Sequence, residues 1–155
     1  MLKPMEIIEE EQKSEITETI LRALPEWFGI EEAIVNYIDA VRKMPFFAIY
    51  DDDEAVGFVA IKDHNPATAE VYVMGVREED HRRGIGSRLM DMAEGYCRAQ
   101  EKSFLTVKTL DESRESEEYK KTRKFYLKNG FQPLEVFPTL WGEENPCLFL
   151  AKIVQ

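Results

Sequence analysis

The sequence predicts an α/β domain built on a mixed central sheet flanked by about four helices. Two observations predict it. Strand-period and helix-period segments alternate along all 155 residues in the order β-α-α-β-β-β-α-β-α-β-β. Within that order, Val71–Met90 runs from an apolar strand through a short polar turn and a glycine pair into an amphipathic helix. The length suits one domain, 1–155, with enough chain to bury a core without disulfides or metal.

Each element has its own signal. Met5–Ile8 reads as a short first strand. Ile16, Ile20, Leu21 and Leu24 recur at helical spacing, and Pro25 ends that helix. Pro25–Gly29 is an aromatic loop carrying Trp27 and Phe28. Ile30, Ile34, Tyr37, Ile38 and Val41 mark a second helix. Phe46–Tyr50 and Ala55–Lys62 form a hairpin across the acidic turn Asp51–Glu54. His64–Ala67 reads as another turn, and Glu70–Val76 as the next strand. A helix over Gly84–Gln100 sets Ile85, Leu89, Met92, Ala93 and Tyr96 on one stripe. Ser103–Val107 is a strand. Asp111, Ser113 and Ser116 are candidate N-caps for a helix over Glu117–Lys128, which Asn129-Gly130 ends. Phe131–Phe137 and Cys147–Val154 are the last strands, with Trp141 in the loop between them.

Composition narrows the function. Hydrophobic residues make up 44% and charged residues 32%, as in ordinary soluble globular proteins. The net charge is -10, which argues against nucleic-acid binding, because a phosphate backbone needs a basic face. The apolar runs are too short for a bilayer, and the first residues lack a signal-peptide core, so a cytoplasmic location is expected. Cys97 and Cys147 read as reduced packing residues. With only two histidines and two cysteines, and no ligand spacing among them, no metal site is expected.

Against that acidic background, His81, Arg82, Arg83 and Arg88 gather at the start of a helix. Helix N-termini present unpaired N–H groups to anions, and Gly84 and Gly86 let the backbone come close. A dinucleotide fingerprint would need a third glycine where Leu89 stands, and no P-loop Gly-Lys-Ser/Thr run exists. A coenzyme A pyrophosphate site is the third reading.

His81-Arg-Arg-Gly-Ile-Gly86 resembles the Gln/Arg-x-x-Gly-x-Gly/Ala motif of the GNAT superfamily of acyl-CoA N-acyltransferases, with His81 in the first position. Lys124-Phe-Tyr-Leu-Lys-Asn-Gly-Phe131 resembles that family's helix–turn–strand element. The resemblance spans essentially the whole chain and implies a GNAT-type fold. It also implies transfer of the acetyl group of acetyl-CoA to a primary amine on a small molecule or peptide, by direct attack in a ternary complex. By the same resemblance, the backbone of Met74, Gly75 and Val76 would meet the pantetheine arm, with Gly75 easing a bulge or close approach. The turn through Arg82, Arg83, Gly84, Ile85, Gly86 and Ser87 would hold the pyrophosphate.

The family pattern makes Tyr126 the general acid, since a phenol is protonated at neutral pH. Glu70 stands where the histone-acetyltransferase branch keeps a catalytic glutamate; a water chain is the other candidate base. Trp27, Phe28 and Trp141 would wall the acceptor pocket. Where many members carry an asparagine against the pantetheine, this chain has Tyr119. A homodimer is common in the superfamily. The alternative function is a catalytically silent acyl-CoA-binding or regulatory module on the same fold.

Overall fold

The computed structural model describes residues 1–154. The elements are β1 (Leu2–Glu6), α1 (Glu10–Arg22), α2 (Glu31–Ala40), β2 (Phe46–Asp51), β3 (Glu54–Asn65), β4 (Thr68–Val76), α3 (Ile85–Ala99), β5 (Phe104–Leu110), α4 (Glu117–Lys128), β6 (Gln132–Phe137) and β7 (Cys147–Ile153). This is the expected order. The strands make one seven-stranded sheet, β1-β2-β3-β4-β5-β7-β6, antiparallel except for β4 against β5.

Two cores cover the two faces. On one, Ile85, Leu89, Met90 and Ala93 of α3 and Tyr126 of α4 pack on Val59, Ile61, Val71, Leu105, Val107 and Leu150. On the other, Ile16, Ile20, Leu21 and Leu24 pack on Phe46, Phe58, Ala60 and Val73. The parity of the strands explains the split, since successive side chains point to opposite faces.

Several boundaries differ from the sequence reading, three of them for a physical reason the structure makes plain. β1 lies at Leu2–Glu6, a few residues early, because Met5 and Ile8 are exposed and only Ile7 turns inward after the strand. α1 begins at Glu10, a turn and a half before the apolar stripe. Its first turn carries Glu10 and Glu11 at the positive end of the helix dipole. Next come Lys13, which donates to the Met44 carbonyl at 2.7 Å, and Ser14, which donates to the Ile38 carbonyl at 2.7 Å. These buried polar ties have no apolar period to announce them. β3 runs through His64 to Asn65, so the turn to β4 contains only residues 66–67. At the helix ends the caps fall as expected. Ser116 accepts from the Tyr119 N–H to start α4, and Gly130 takes a left-handed φ of 91° just beyond its end.

The feature that positions the site is a break in the sheet. β4 and β5 pair only from Thr68↔Phe104 to Val71↔Val107. Beyond that point β4 continues against β3, and β5 against β7, as far as Val76 and Leu110. The two strands splay into an open wedge. At its apex the β3–β4 register slips, because Ala60 pairs with Val73 while Ile61 pairs with Val71, leaving Tyr72 as the extra residue of a bulge. A bulge bends its strand and increases the local twist, which turns β4 away from β5. Of the two expectations for Gly75, a bulge or a close approach, the bulge falls at Tyr72. Gly75 instead makes room for the α1 side, where an added Cβ would lie 3.1 Å from Ile20 Cγ2 and 3.3 Å from Phe58 Cε1.

Candidate active site

The turn before α3 has the geometry of an anion cradle. Arg82 (φ 71°) and Gly84 (φ 76°) are both left-handed, one residue apart. Alternation of this kind turns successive N–H groups into one concavity. Gly84 is the N-cap of α3 and caps nothing with a side chain, and no acidic residue occupies the first turn. A Cβ at Gly84 would meet nothing within 4 Å, so the approach is open. The N–H groups of Ile85, Gly86 and Ser87 begin the helix and lack partners four residues back. Met74, Gly75 and Val76 lead into this turn along the open edge of β4.

The basic cluster divides. Arg83 is tied down: its Nη1 lies 3.0 Å from Asp51 Oδ2 and 2.6 Å from Asp80 Oδ1. Asp80 is buried and also takes Arg77 Nε at 2.9 Å. The Arg83 guanidinium pulls the Asp51 carboxyl below its ordinary range. Arg83 therefore pins the turn to the β2–β3 hairpin, and Arg82 and Arg88 carry the exposed charge. Gly86 also has a structural reason, since an added Cβ would lie 3.0 Å from the Phe125 ring. It seats α4 against the start of α3.

His81 and Trp27 join the turn to the rest of the site. His81 Nε2 donates to the Val76 carbonyl at 2.9 Å, and its ring meets Trp27 edge-on with centroids 5.6 Å apart. Trp27 Nε1 donates to the Glu118 carbonyl at 3.3 Å, while Tyr119 donates its hydroxyl proton to the Trp27 carbonyl at 2.5 Å. The α1–α2 loop is thereby stitched to the start of α4 across the wedge. Where the family pattern has an asparagine, Tyr119 serves as the stitch, and nothing but the departure itself marked it in the sequence.

Tyr126 sits on the α3/α4 side of the wedge, 7% exposed, between Phe125 and Phe131 with ring centroids 5.5 and 5.6 Å away. Burial pushes its phenol well above the ordinary value, and the nearby phenols of Tyr119 and Tyr37 push the same way. Tyr37 belongs to the opposite face, where burial raises it to about 12. Thr109 Oγ1, on the β5 side of the wedge, is the buried side-chain polar atom without a partner among the described residues.

On the α1/α2 face stand Phe28, Tyr37 and Tyr72, edge to face with centroids 6.1 and 5.5 Å apart. Glu70 lies next along β4. It is buried, 5% exposed, rather than a free strand-end carboxylate. Its Oε1 is 2.7 Å from His64 Nε2 and its Oε2 is 3.0 Å from Lys108 Nζ. Sequence reasoning missed both partners. Lys108 carried no motif, and His64 was assigned to a turn. A hollow of about 330 Å³ opens here, lined by His64, Thr68, Thr106, Lys108, Phe137 and Phe149. Trp141 is 41% exposed on the β6–β7 loop and makes no aromatic pair with Trp27 or Phe28. A larger groove of about 670 Å³ lies between α4 and β6–β7, lined by Lys120, Lys124 and Leu150 among others, and holds neither Tyr126 nor Glu70.

The fold has counterparts among known proteins. The family model for the acetyltransferase (GNAT) domain matches residues 42–133, which contain β2 to α4, the cradle, the wedge and Tyr126. A GNAT-family structure from Desulfovibrio desulfuricans superposes with a TM-score of 0.84 at 15% identity, covering 100% of both chains. A GNAT-family acetyltransferase from Elizabethkingia anophelis with acetyl-CoA bound gives 0.74 at 15% identity, covering 98% of this chain and 97% of that one. The aminoglycoside 6'-N-acetyltransferase of Enterococcus faecium gives 0.76 at 18%, covering 100% and 97%. At such identities these likenesses establish the fold. No curated protein matches the chain significantly in sequence.

Proposed function

The chain belongs to the GNAT acetyltransferase family, and on that premise we propose that it transfers the acetyl group of acetyl-CoA to a primary amine by direct attack in a ternary complex. One observation supports the reading: β4 and β5 splay apart beyond Val71 and Val107, and the left-handed turn at Gly84 follows the splayed end of β4. Acetyl-CoA supplies the activated thioester. The residues present fit it. The unpaired N–H groups of Ile85, Gly86 and Ser87, with the Arg82 side chain, would hold the pyrophosphate. The edge of β4 at Met74, Gly75 and Val76, which β5 leaves uncovered and where His81 holds the Val76 carbonyl, would pair through its remaining groups with the amide-bearing pantetheine arm as an added strand does.

Tyr126 keeps its proton across the working pH range because burial disfavours the phenolate. It is therefore a standing donor to the departing thiolate. The acceptor enters on the α1/α2 face, where Phe28, Tyr37 and Tyr72 offer aromatic walls to an ammonium or an apolar body. Proton removal belongs to the Glu70 side of the wedge. The net charge of -10 favours a cationic acceptor, of small-molecule or peptide size. No helix among the described residues is long and apolar enough to cross a membrane; a cytoplasmic setting fits the two unpaired, buried cysteines.

The test is thiol release from acetyl-CoA across a panel of amines, aminoglycosides and N-terminal peptides included. Amine-dependent release supports the proposal. Tight CoA binding with no turnover on any amine would make the chain a silent acyl-CoA-binding module instead.

A further inference from the structure

Glu70 is an unusual base. Both of its oxygens are occupied, and the residue does not border the hollow beside it. The groups that do face that hollow are His64 and Lys108. We propose that His64 is the base that takes the acceptor's proton, with Glu70 orienting its ring and Lys108 fixing Glu70. The inference rests on the acetyltransferase reading given above.

The geometry supports each part. In the β3–β4 ladder Asp63 pairs with Ala69 and Asn65 with Thr68, so His64 is the extra residue of a second bulge. Bulges re-aim side chains, and this one brings the ring to 2.7 Å from Glu70 Oε1. An ionised carboxylate can only accept, so Nε2 carries the hydrogen and Nδ1 holds the lone pair. His64 is 34% exposed at its side chain and Glu70 7%, so the ring rather than the carboxylate reaches solvent and substrate. Thr68 and Thr106 lie within the paired β4–β5 stretch and Lys108 is the first β5 residue beyond it, so the hollow runs beside the paired strands up to the apex of the wedge. The hairpin end that carries His64 is held by Lys102, which bridges to Asp63 and donates to the Asn65 carbonyl. The charged and titratable groups around the pair are Lys108, Lys62 opposite Glu70 on β3, Tyr72, Tyr37 and Cys147.

The step balances. An ammonium proton moves to His64 Nδ1, directly or through one water. The freed lone pair attacks the thioester carbon, the C–N bond forms and the C–S bond breaks. Tyr126 gives its proton to the thiolate sulfur and regains one from the nitrogen. The imidazolium returns its proton to water. The products are the acetamide, CoA thiol and one proton.

Two measurements on the full chain test this. His64→Gln keeps a donor to Glu70 but cannot accept a proton; kcat for a confirmed amine should fall about 10²-fold. KM for acetyl-CoA should stay unchanged. The deficit should close as pH rises and the amine loses its proton unaided, which a structural role would not produce. His64→Asn repeats the test should Gln disturb the hairpin. Independently of activity, the ring ¹⁵N spectrum (only two histidines are present) should show His64 as the Nε2–H tautomer. An active wild type with an equally active His64→Gln, or an Nδ1–H tautomer at His64, overturns the assignment. A wild type inert on every amine overturns the transferase reading itself, whatever the tautomer.

Discussion

Replacing Tyr126 by Phe isolates one atom of the proposed chemistry. The ring contacts with Phe125 and Phe131, at centroid distances of 5.5 and 5.6 Å, survive the change. Only the hydroxyl goes, from a residue 7% exposed, so stability should move by less than about 1 kcal/mol. General-acid donation is worth about 10²-fold or more, and 10²-fold corresponds to about 2.7 kcal/mol of transition-state stabilisation. We therefore expect Tyr126→Phe to lower kcat about 10²-fold in an amine-dependent thiol-release assay, with KM for acetyl-CoA unchanged. Because burial raises the phenol above its ordinary value, its folded pKa exceeds its unfolded one. Its linked stability is then present in full below about pH 10 and is lost as pH climbs above that. The wild-type rate should accordingly show no alkaline limb from Tyr126. Turnover by the variant within about threefold of wild type, on an acceptor the wild type uses, would refute the role (a threefold change is under 1 kcal/mol).

Other expectations follow from the cradle and the cores. Arg82→Ala should raise KM for acetyl-CoA several-fold with an unchanged melting temperature, because Arg82 is exposed. Arg83→Ala should lower the melting temperature instead, since it leaves buried Asp80 with Arg77 alone. In the wild type Asp51 is depressed by Arg83, so that pairing stabilises above the ordinary carboxylate pKa and fades as pH falls through the depressed value. Acid-melting curves of wild type and Arg83→Ala should therefore converge at low pH. Gly84→Ala should cost about 1–2 kcal/mol, since an L-residue is forced left-handed, and denaturant midpoints check it. Gly86→Ala has ordinary helical geometry but meets Phe125 at 3.0 Å; pairing it with Phe125→Leu should restore whatever stability it loses. Cys97 and Cys147, both buried and pushed up to about 11 by burial, should resist a thiol reagent in the native state and react once the chain is unfolded.

Much of this molecule was legible in the sequence because its signals are local. Element order, the start of α3 near Gly84, the Ser116 cap and the Gly130 stop all depend on residues within one turn of each other, where periodicity and capping chemistry operate. The site was legible only where a motif names it. Gly84 and Tyr126 belong to motifs. Lys108 and His64 belong to none. They meet Glu70 only because β5 lies parallel to β4 and a bulge turns the end of β3. The Tyr119–Trp27 hydrogen bond joins residues 92 positions apart. Register slips and long-range pairings of this kind leave no periodic trace. The same limit explains Gly75 and Gly86, whose neighbours Ile20 and Phe125 come from distant elements.

Under the proposed acetyl transfer, the turn before α3 is where a strongly acidic chain would have to hold a polyphosphate. The positive contribution at the cradle is chiefly backbone N–H groups, fixed by the left-handed Arg82 and Gly84; the side chain of Arg83 is spent on Asp51 and Asp80. Backbone dipoles act over about one helical turn, so the positive potential they would offer the donor stays local to the start of α3. The seam from His81 through Trp27 to Tyr119 crosses the wedge and touches the cradle, the acceptor-side loop and α4 at once. In the proposed ternary complex, donor and acceptor would each lie against one end of this seam. Binding of donor and acceptor should then be energetically coupled, and the coupling should weaken when the Tyr119 hydroxyl is removed.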